Sequence, residues 1–178
     1  MTPTKPAPGT QFTPVTVPQL GGGDLTLGTA SDGYDWQLIV VYRGRHCPIC
    51  TRYLSEIEAI VPELNSLGIE VVAVSADSAE RATGQIADAG VTFPVGHSLT
   101  VAQMTQLGLY ISSPRHGIDV EGPFGEPALF VVNEEGELRM ADIANVPFLR
   151  PQVPSILMGL RFMRGMTESF PANGTFAS

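Results

Sequence analysis

Two rhythms run through this chain, short unbroken apolar runs and longer stretches with apolar residues every three or four positions. Val15 to Val17 and Asp24 to Leu27 flank Gly21-Gly22-Gly23 and predict a small hairpin. Leu38-Ile39-Val40-Val41-Tyr42 is a continuous apolar run, the pattern of a strand covered on both faces. Directly after it, Ile49, Tyr53, Leu54, Ile57, Ile60, Val61, Leu64 and Leu67 fall at helical spacing. Pro62 removes one hydrogen bond of that helix and is expected to bend it, and Gly68 to cap it. Ile69 to Ser75 reads as a second buried strand. Ser78 to Ala89 reads as a helix begun by a Ser/Asp cap and ended at Gly90.

Val91 to Val95 is a third predicted strand and Leu99 to Leu107 a third helix. Ser112 to Gly125, rich in Gly, Pro, Ser and charge, predicts a loop. Ala128 to Val132 and Leu138 to Ile143 flank Asn133-Glu134-Glu135-Gly136-Glu137, a hairpin signal. A last amphipathic helix covers Gln152 to Met163. Strands alternating with helices, then a hairpin and a helix, predict an α/β class: a three-layer α/β/α sandwich with a central mixed sheet and an N-terminal hairpin. The expected organisation is a flexible arm at 1–11, one domain at 12–170 and a tail at 171–178.

A chain of 178 residues, 43% of them hydrophobic, has enough for one core without metal or disulfide staples. No apolar run approaches the ~20 residues that span a bilayer, so no membrane role is expected. The formal charge is −8 and the ten basic residues are spread thinly, which argues against a nucleic-acid groove. The segment Met1 to Gly9 carries one charge, no apolar stretch and three prolines, unlike a secretory signal. The expected home is cytoplasmic, where a lasting structural disulfide would be reduced.

Against that background, both cysteines of the chain lie in Arg45-His46-Cys47-Pro48-Ile49-Cys50, at the junction between a predicted strand and a predicted helix. Thiols at i and i+3 can close a local disulfide, and the first sits where helix N–H groups and the helix dipole favour a thiolate. Cys47 is the expected attacking thiol, with Arg43 and Arg45 as groups able to stabilise its anion; His46 either tunes the thiol or merely occupies the active-site surface. Cys50, one turn inward, is the expected resolving thiol. Pro48 occupies the first helical turn without losing a hydrogen bond.

Other readings of the pair are an ordinary buried couple or half of a zinc knuckle. Zinc would need ligands from His46, His97 or His116. His46 adjoins Cys47 and converges poorly with both thiols, and His97 and His116 have 18 residues between them without finger-like spacing. No metal and no cofactor is therefore expected.

Val41-Tyr42-Arg43-Gly44-Arg45-His46-Cys47-Pro48-Ile49-Cys50, Gly108-Leu109-Tyr110-Ile111-Ser112, Glu126-Pro127-Ala128-Leu129-Phe130-Val131-Val132 and Pro147-Phe148-Leu149-Arg150-Pro151 together resemble the alkyl hydroperoxide reductase/thiol-specific antioxidant family, in its peroxiredoxin-like branch. The resemblance spans roughly residues 12 to 170. It implies a thioredoxin fold, Cys47 as the redox-active cysteine, antioxidant or peroxide-linked activity, and often dimers. In thioredoxin folds the place of Pro127 holds a cis-proline facing the cysteine pair. Pro127 is thus expected to be cis, with the backbone at Glu126 free to pair with an incoming substrate. The chain departs from the peroxiredoxin frame at Val40 and Gly44, where that frame has Pro and Thr/Ser, and at Pro127, the closest match to its later arginine. It departs from thioredoxin at Val41, the place of a buried acid. That leaves Glu56 and Glu58 as weak candidates to accept a proton from Cys50.

Two functions follow as expectations. The first is a thiol-dependent oxidoreductase, with a disulfide or hydroperoxide as substrate and a protein or low-molecular-weight thiol as reductant; a dedicated peroxidase is its narrower form. The second is a binding module on the same fold, with cysteines that do no redox work.

Overall fold

In the computed structural model, which describes residues 4–176, the two rhythms resolve into nine strands and five helices. β1 (Val15–Pro18) and β2 (Asp24–Leu27) pair antiparallel as the expected hairpin. β3 (Trp36–Val41) leads into α1 (Pro48–Glu58), which is followed by α2 (Val61–Ser66). The bend expected at Pro62 is a full break: two helices meet at Ala59-Ile60, and Pro62 sits in the first turn of the second. A proline there lacks only an N–H that has no helical partner anyway, whereas inside one long helix its ring would collide with a carbonyl one turn back.

β4 (Ile69–Val74) and α3 (Ala79–Ala89) follow, the helix ending at Gly90 in the left-handed conformation (φ 67°). The third strand is shorter than expected, only β5 (Val95–Gly96), because residues 91–94 make no ladder. α4 (Val101–Gln106) starts from a capping box between Thr100 and Gln103. The expected loop at 112–125 is closed at its base by a short hairpin, β6 (Ile111–Ser112) with β7 (Phe124–Gly125). β8 (Ala128–Val132), β9 (Leu138–Ile143) and α5 (Val153–Arg164) complete the chain.

The central sheet has the order β5-β4-β3-β8-β9 and is mixed: β3, β4 and β5 run parallel, while β8 is antiparallel to β3 and β9. Alternation along each strand sorts side chains into two cores. Leu38, Val40, Val71, Ala73, Leu129 and Val131 face α1, α2 and α5, through Leu54, Ile57, Leu64, Ile156 and Leu160. Ile39, Val41, Val72, Val74, Phe130 and Val132 face the β1–β2 hairpin and α4, through Val15, Val17, Leu25, Leu27, Met104 and Leu107. Cys47 and Cys50 belong to the first core.

The segment before β1 wraps the sheet. Gly9 N and Phe12 N donate to the carbonyls of Leu138 and Gly136, and Leu138 N donates to that of Thr10, which extends pairing at the β9 flank. At the opposite flank, Leu20 N donates to Val95 O and His97 N to Pro18 O. The C-terminal tail runs beside the arm, so close that a side chain at Gly9 would press on Ala172 and Thr175. Among the described residues no helix is long and apolar enough to cross a membrane.

Candidate active site

β3, buried on both faces, delivers Tyr42 and Arg43 to the edge of the first core, and the chain must turn sharply to start α1. Gly44 makes that turn with φ +127°, and a Cβ there would lie 2.6 Å from a carboxylate oxygen of Asp77. Asp77, 7% exposed, accepts the Arg45 backbone N–H at 2.7 Å and so fixes the loop from below. Cys47 N donates to Gly44 O at 3.0 Å, and Cys47, with extended backbone, is the N-cap of α1. The N–H of Cys50 returns to Cys47 O at 3.0 Å. The i, i+3 spacing thus puts both thiols on the inner face of one helical turn, 1% and 0% exposed. Both are free thiols.

Their environments push them apart. The Cys50 thiol, beside Cys47, favours the Cys47 thiolate most; burial opposes it, and the Cys50 N–H, the Arg43 side chain and the Arg150 charge add to it. Together they bring Cys47 down to about 6. Cys50 is driven well above the ordinary thiol range, first by burial and then by the neighbouring Cys47. One anion is therefore shared by two sulfurs, with its weight on Cys47.

Two guanidinium groups frame the pair. Arg43 pairs with Glu126, Nε to Oε2 at 3.1 Å, and lies 4.9 Å over the Phe124 ring. From the other side Arg150 Nη2 donates to Cys50 Sγ at 2.8 Å, with its guanidinium 5.0 Å over the Tyr53 ring. Tyr53 OH donates to Pro151 O at 2.9 Å and ties that segment to α1. A cavity of about 10 Å³, room for one water, lies among Val41, Tyr53, Pro127, Asp142 and Arg150. Beside it a groove of about 580 Å³ opens between Tyr110, Phe148, Leu149 and Arg150.

Pro48 is exposed at the start of α1. The Arg45 side chain turns away over Gly84, 3.9 Å from Asp88, and does not reach the thiols. His46 packs against Phe124, ring centroids 4.6 Å apart, and burial and Arg43 lower it to about 4. It is neutral at pH 7 and brings no positive charge to Cys47, so it does not tune the thiol by charge.

Pro127 is a second correction: no peptide bond among the described residues is cis. Trans is the intrinsically favoured isomer by about 0.5–1 kcal/mol, and the backbone on either side is already engaged. Glu126 N donates to Tyr110 O and Ala144 N to Pro127 O, so no strand-like edge is left open at this place. Glu56 pairs with Arg52, and Glu58 accepts from Thr92 N and Oγ1; both point away from Cys50. His97 sits in a loop with Ser98. Among the described residues no three His, Cys, Asp or Glu side chains gather as a metal site.

Sequence reasoning missed Arg150 as a site residue, as well as Asp77, Ser112 and Phe124. Arg150 stands inside one of the motifs that carried the family resemblance, yet 100 positions from Cys50, and nothing local pointed it inward.

The model of the AhpC/TSA family matches residues 8–141, and with that match the assignment is decided. The chain belongs to the AhpC/TSA family. Within it the chain is peroxiredoxin-like. It is 25% identical over 140 residues to the Mycobacterium tuberculosis protein named "Putative peroxiredoxin Rv2521", a stretch covering 78% of this chain and 85% of that one. A peroxiredoxin-like protein from Aquifex aeolicus superposes with a TM-score of 0.74 at 15% identity, covering 90% of each chain. Peroxiredoxin Q of Xanthomonas campestris gives 0.66 at 22% identity, covering 92% of this chain and 99% of that one. These likenesses place the AhpC/TSA fold of this chain among thioredoxin-type α/β sandwiches.

Proposed function

We propose that this protein is a thiol peroxidase in which Cys47 is the peroxidatic cysteine and Cys50 resolves it. The carrying observation is the thiol pair itself: a sulfur brought down to about 6 beside a second sulfur and beneath Arg43 and Arg150. Family membership supports the oxidoreductase class. The Cys47 thiolate attacks the terminal oxygen of a hydroperoxide: an S–O bond forms, the O–O bond breaks, and the alcohol leaves after taking a proton. Cys47 is then a sulfenic acid. Cys50 attacks that sulfur, its proton passing to the hydroxide that is expelled, which leaves as water; a Cys47–Cys50 disulfide remains. Two electrons from an external thiol reductant restore the dithiol, as a reducing compartment such as the cytoplasm would supply.

The same pair can exchange with a disulfide, and the Cys-Pro-Ile-Cys spacing supports that second reading. The engaged backbone at Glu126 and Pro127 favours a small oxidant over an extended peptide. Dimers, which the resemblance suggests, would leave this one-chain chemistry unchanged.

Addition of one equivalent of hydroperoxide should remove both free thiols and consume the peroxide. Cys47→Ser should abolish consumption by at least about a thousandfold, and Cys50→Ser should leave a sulfenic acid that dimedone captures. Persistence of both thiols after peroxide, with a disulfide substrate still reduced, would leave only the exchange reading. Inertness to both would make the fold a binding module.

A further inference from the structure

The short hairpin β6–β7 was invisible in the sequence and contributes three side chains to one place. Ser112 ends β6, Phe124 lies in β7, and Glu126 follows directly. The Glu126 carboxylate is buried at 4% residue exposure, yet it faces a core that holds thiols and cations rather than solvent. Ser112 Oγ donates to its Oε1 at 2.6 Å, and its Oε2 lies 3.1 Å from Arg43 Nε. The latter approach is one of opposite charges, without the alignment of a hydrogen bond. Phe124 closes the third side, with the Arg43 guanidinium 4.9 Å from its ring.

We infer that Glu126, oriented by Ser112, is a positioning residue that holds Arg43 against Phe124 and aims its guanidinium at the Cys47 sulfur. The assignment rests on Cys47 being the reactive thiol, and it replaces the substrate-pairing role expected for Glu126. An arginine on a loop of this kind has many rotamers, and a buried carboxylate on its Nε side leaves only the far edge for a second anion. The ring beneath it removes the remaining freedom by occupying the face a water would take. Around the arrangement stand Arg43, His46, Cys47, Cys50 and Arg150, with Tyr42 and Tyr53 beside the thiol pair and Asp77, Arg81 and Asp119 beyond His46; of these charged and titratable groups only Arg43 touches Glu126 among the described contacts.

A negative charge near a thiolate should by itself raise the thiol's pKa, so position and field predict opposite signs, and an experiment can separate them. In the full-length reduced protein, the rate of iodoacetamide alkylation at Cys47 is followed against pH, with peptide mass spectrometry to locate the label. Glu126→Gln keeps the size of the side chain and an acceptor for Ser112, but removes the charge that holds Arg43. The expected result is a rise of the Cys47 midpoint by about one pH unit, or about tenfold slower alkylation below it. Ser112→Ala should move it the same way by less.

In an Arg43→Ala background the Glu126→Gln substitution should no longer raise the midpoint. An unchanged or lowered midpoint in Glu126→Gln, or an equal rise in the Arg43→Ala background, overturns the positioning role. Removing one member of a buried ion pair weakens folding, so Ser112→Ala, which leaves the pair intact, carries the test if Glu126→Gln unfolds. The wild-type profile separates this inference from the function: a midpoint near ~8.5 would sink Cys47 as the reactive thiol. A low wild-type midpoint with insensitive variants would sink only the role of Glu126.

Discussion

At Cys47 the chemistry is set by its neighbours. A thiol of about 6 is roughly nine-tenths ionised at pH 7, against a few per cent for an ordinary one. The largest contribution comes from the Cys50 thiol, so Cys50→Ala should carry the Cys47 midpoint back toward ~8.5. Alkylation at pH 6.5 should slow about tenfold or more, as a pH series of iodoacetamide rates would show.

The same shift enters stability. Cys47 has a folded value below its unfolded one, so its contribution is present above ~8.5 and is lost as pH falls through about 6. Cys50, raised by burial, acts in the opposite sense: its contribution is present below the unfolded value and is lost as pH rises through the folded one. Denaturant midpoints from pH 5 to 8 should therefore rise less with pH in Cys47→Ser than in the native protein.

Among the elements, the turn from β3 into α1 decides most. Gly44 stands where the peroxiredoxin frame has Thr or Ser, and φ +127° with Asp77 packed at its Cα explains why no side chain fits. Gly44→Ala should cost about 1–3 kcal/mol in denaturant unfolding and raise the Cys47 midpoint, because Arg43 and Cys47 sit on either side of the displaced turn. Thr at this position should do no better, so the family's hydroxyl cannot be restored by a single substitution.

Much of this architecture was legible in advance: the buried runs of β3, β4 and β8, the helical spacing from Ile49 to Leu67, which the structure divides into two helices, and the cysteine pair where β3 gives way to the first of them. The β6–β7 hairpin was not, since two-residue strands carry no period. Arg150 was passed over as a site residue and Pro127 was expected to be cis, for other reasons. A charged residue near Pro and Phe reads as surface until long-range packing turns it inward, and a proline before a strand carries no mark of its isomer.

For the molecule as a whole, the leading segment guards the sheet. Residues 9–12 pair with residues 136–138 at the start of β9 and residues 18–20 pair along β5, so each edge of the sheet has part of its backbone capped. Phe12, 5% exposed, packs against Phe130 with the rings tilted and their centroids 5.6 Å apart, and anchors the wrap in the second core. Phe12→Ala should lower stability by about 3–5 kcal/mol, measured by chemical unfolding. Removal of residues 1–12 should add concentration-dependent aggregation seen by light scattering, with the alkylation profile of Cys47 unchanged in the fraction that stays folded.

Gly9 rests against Ala172 and Thr175. The arm at Gly9 and the tail at 172–175 lie side by side, so a short linker can join these segments and fresh ends can be cut in an exposed turn such as Gly21-Gly22-Gly23. Such a rewired polypeptide would keep its sulfur chemistry while its order of synthesis is rearranged.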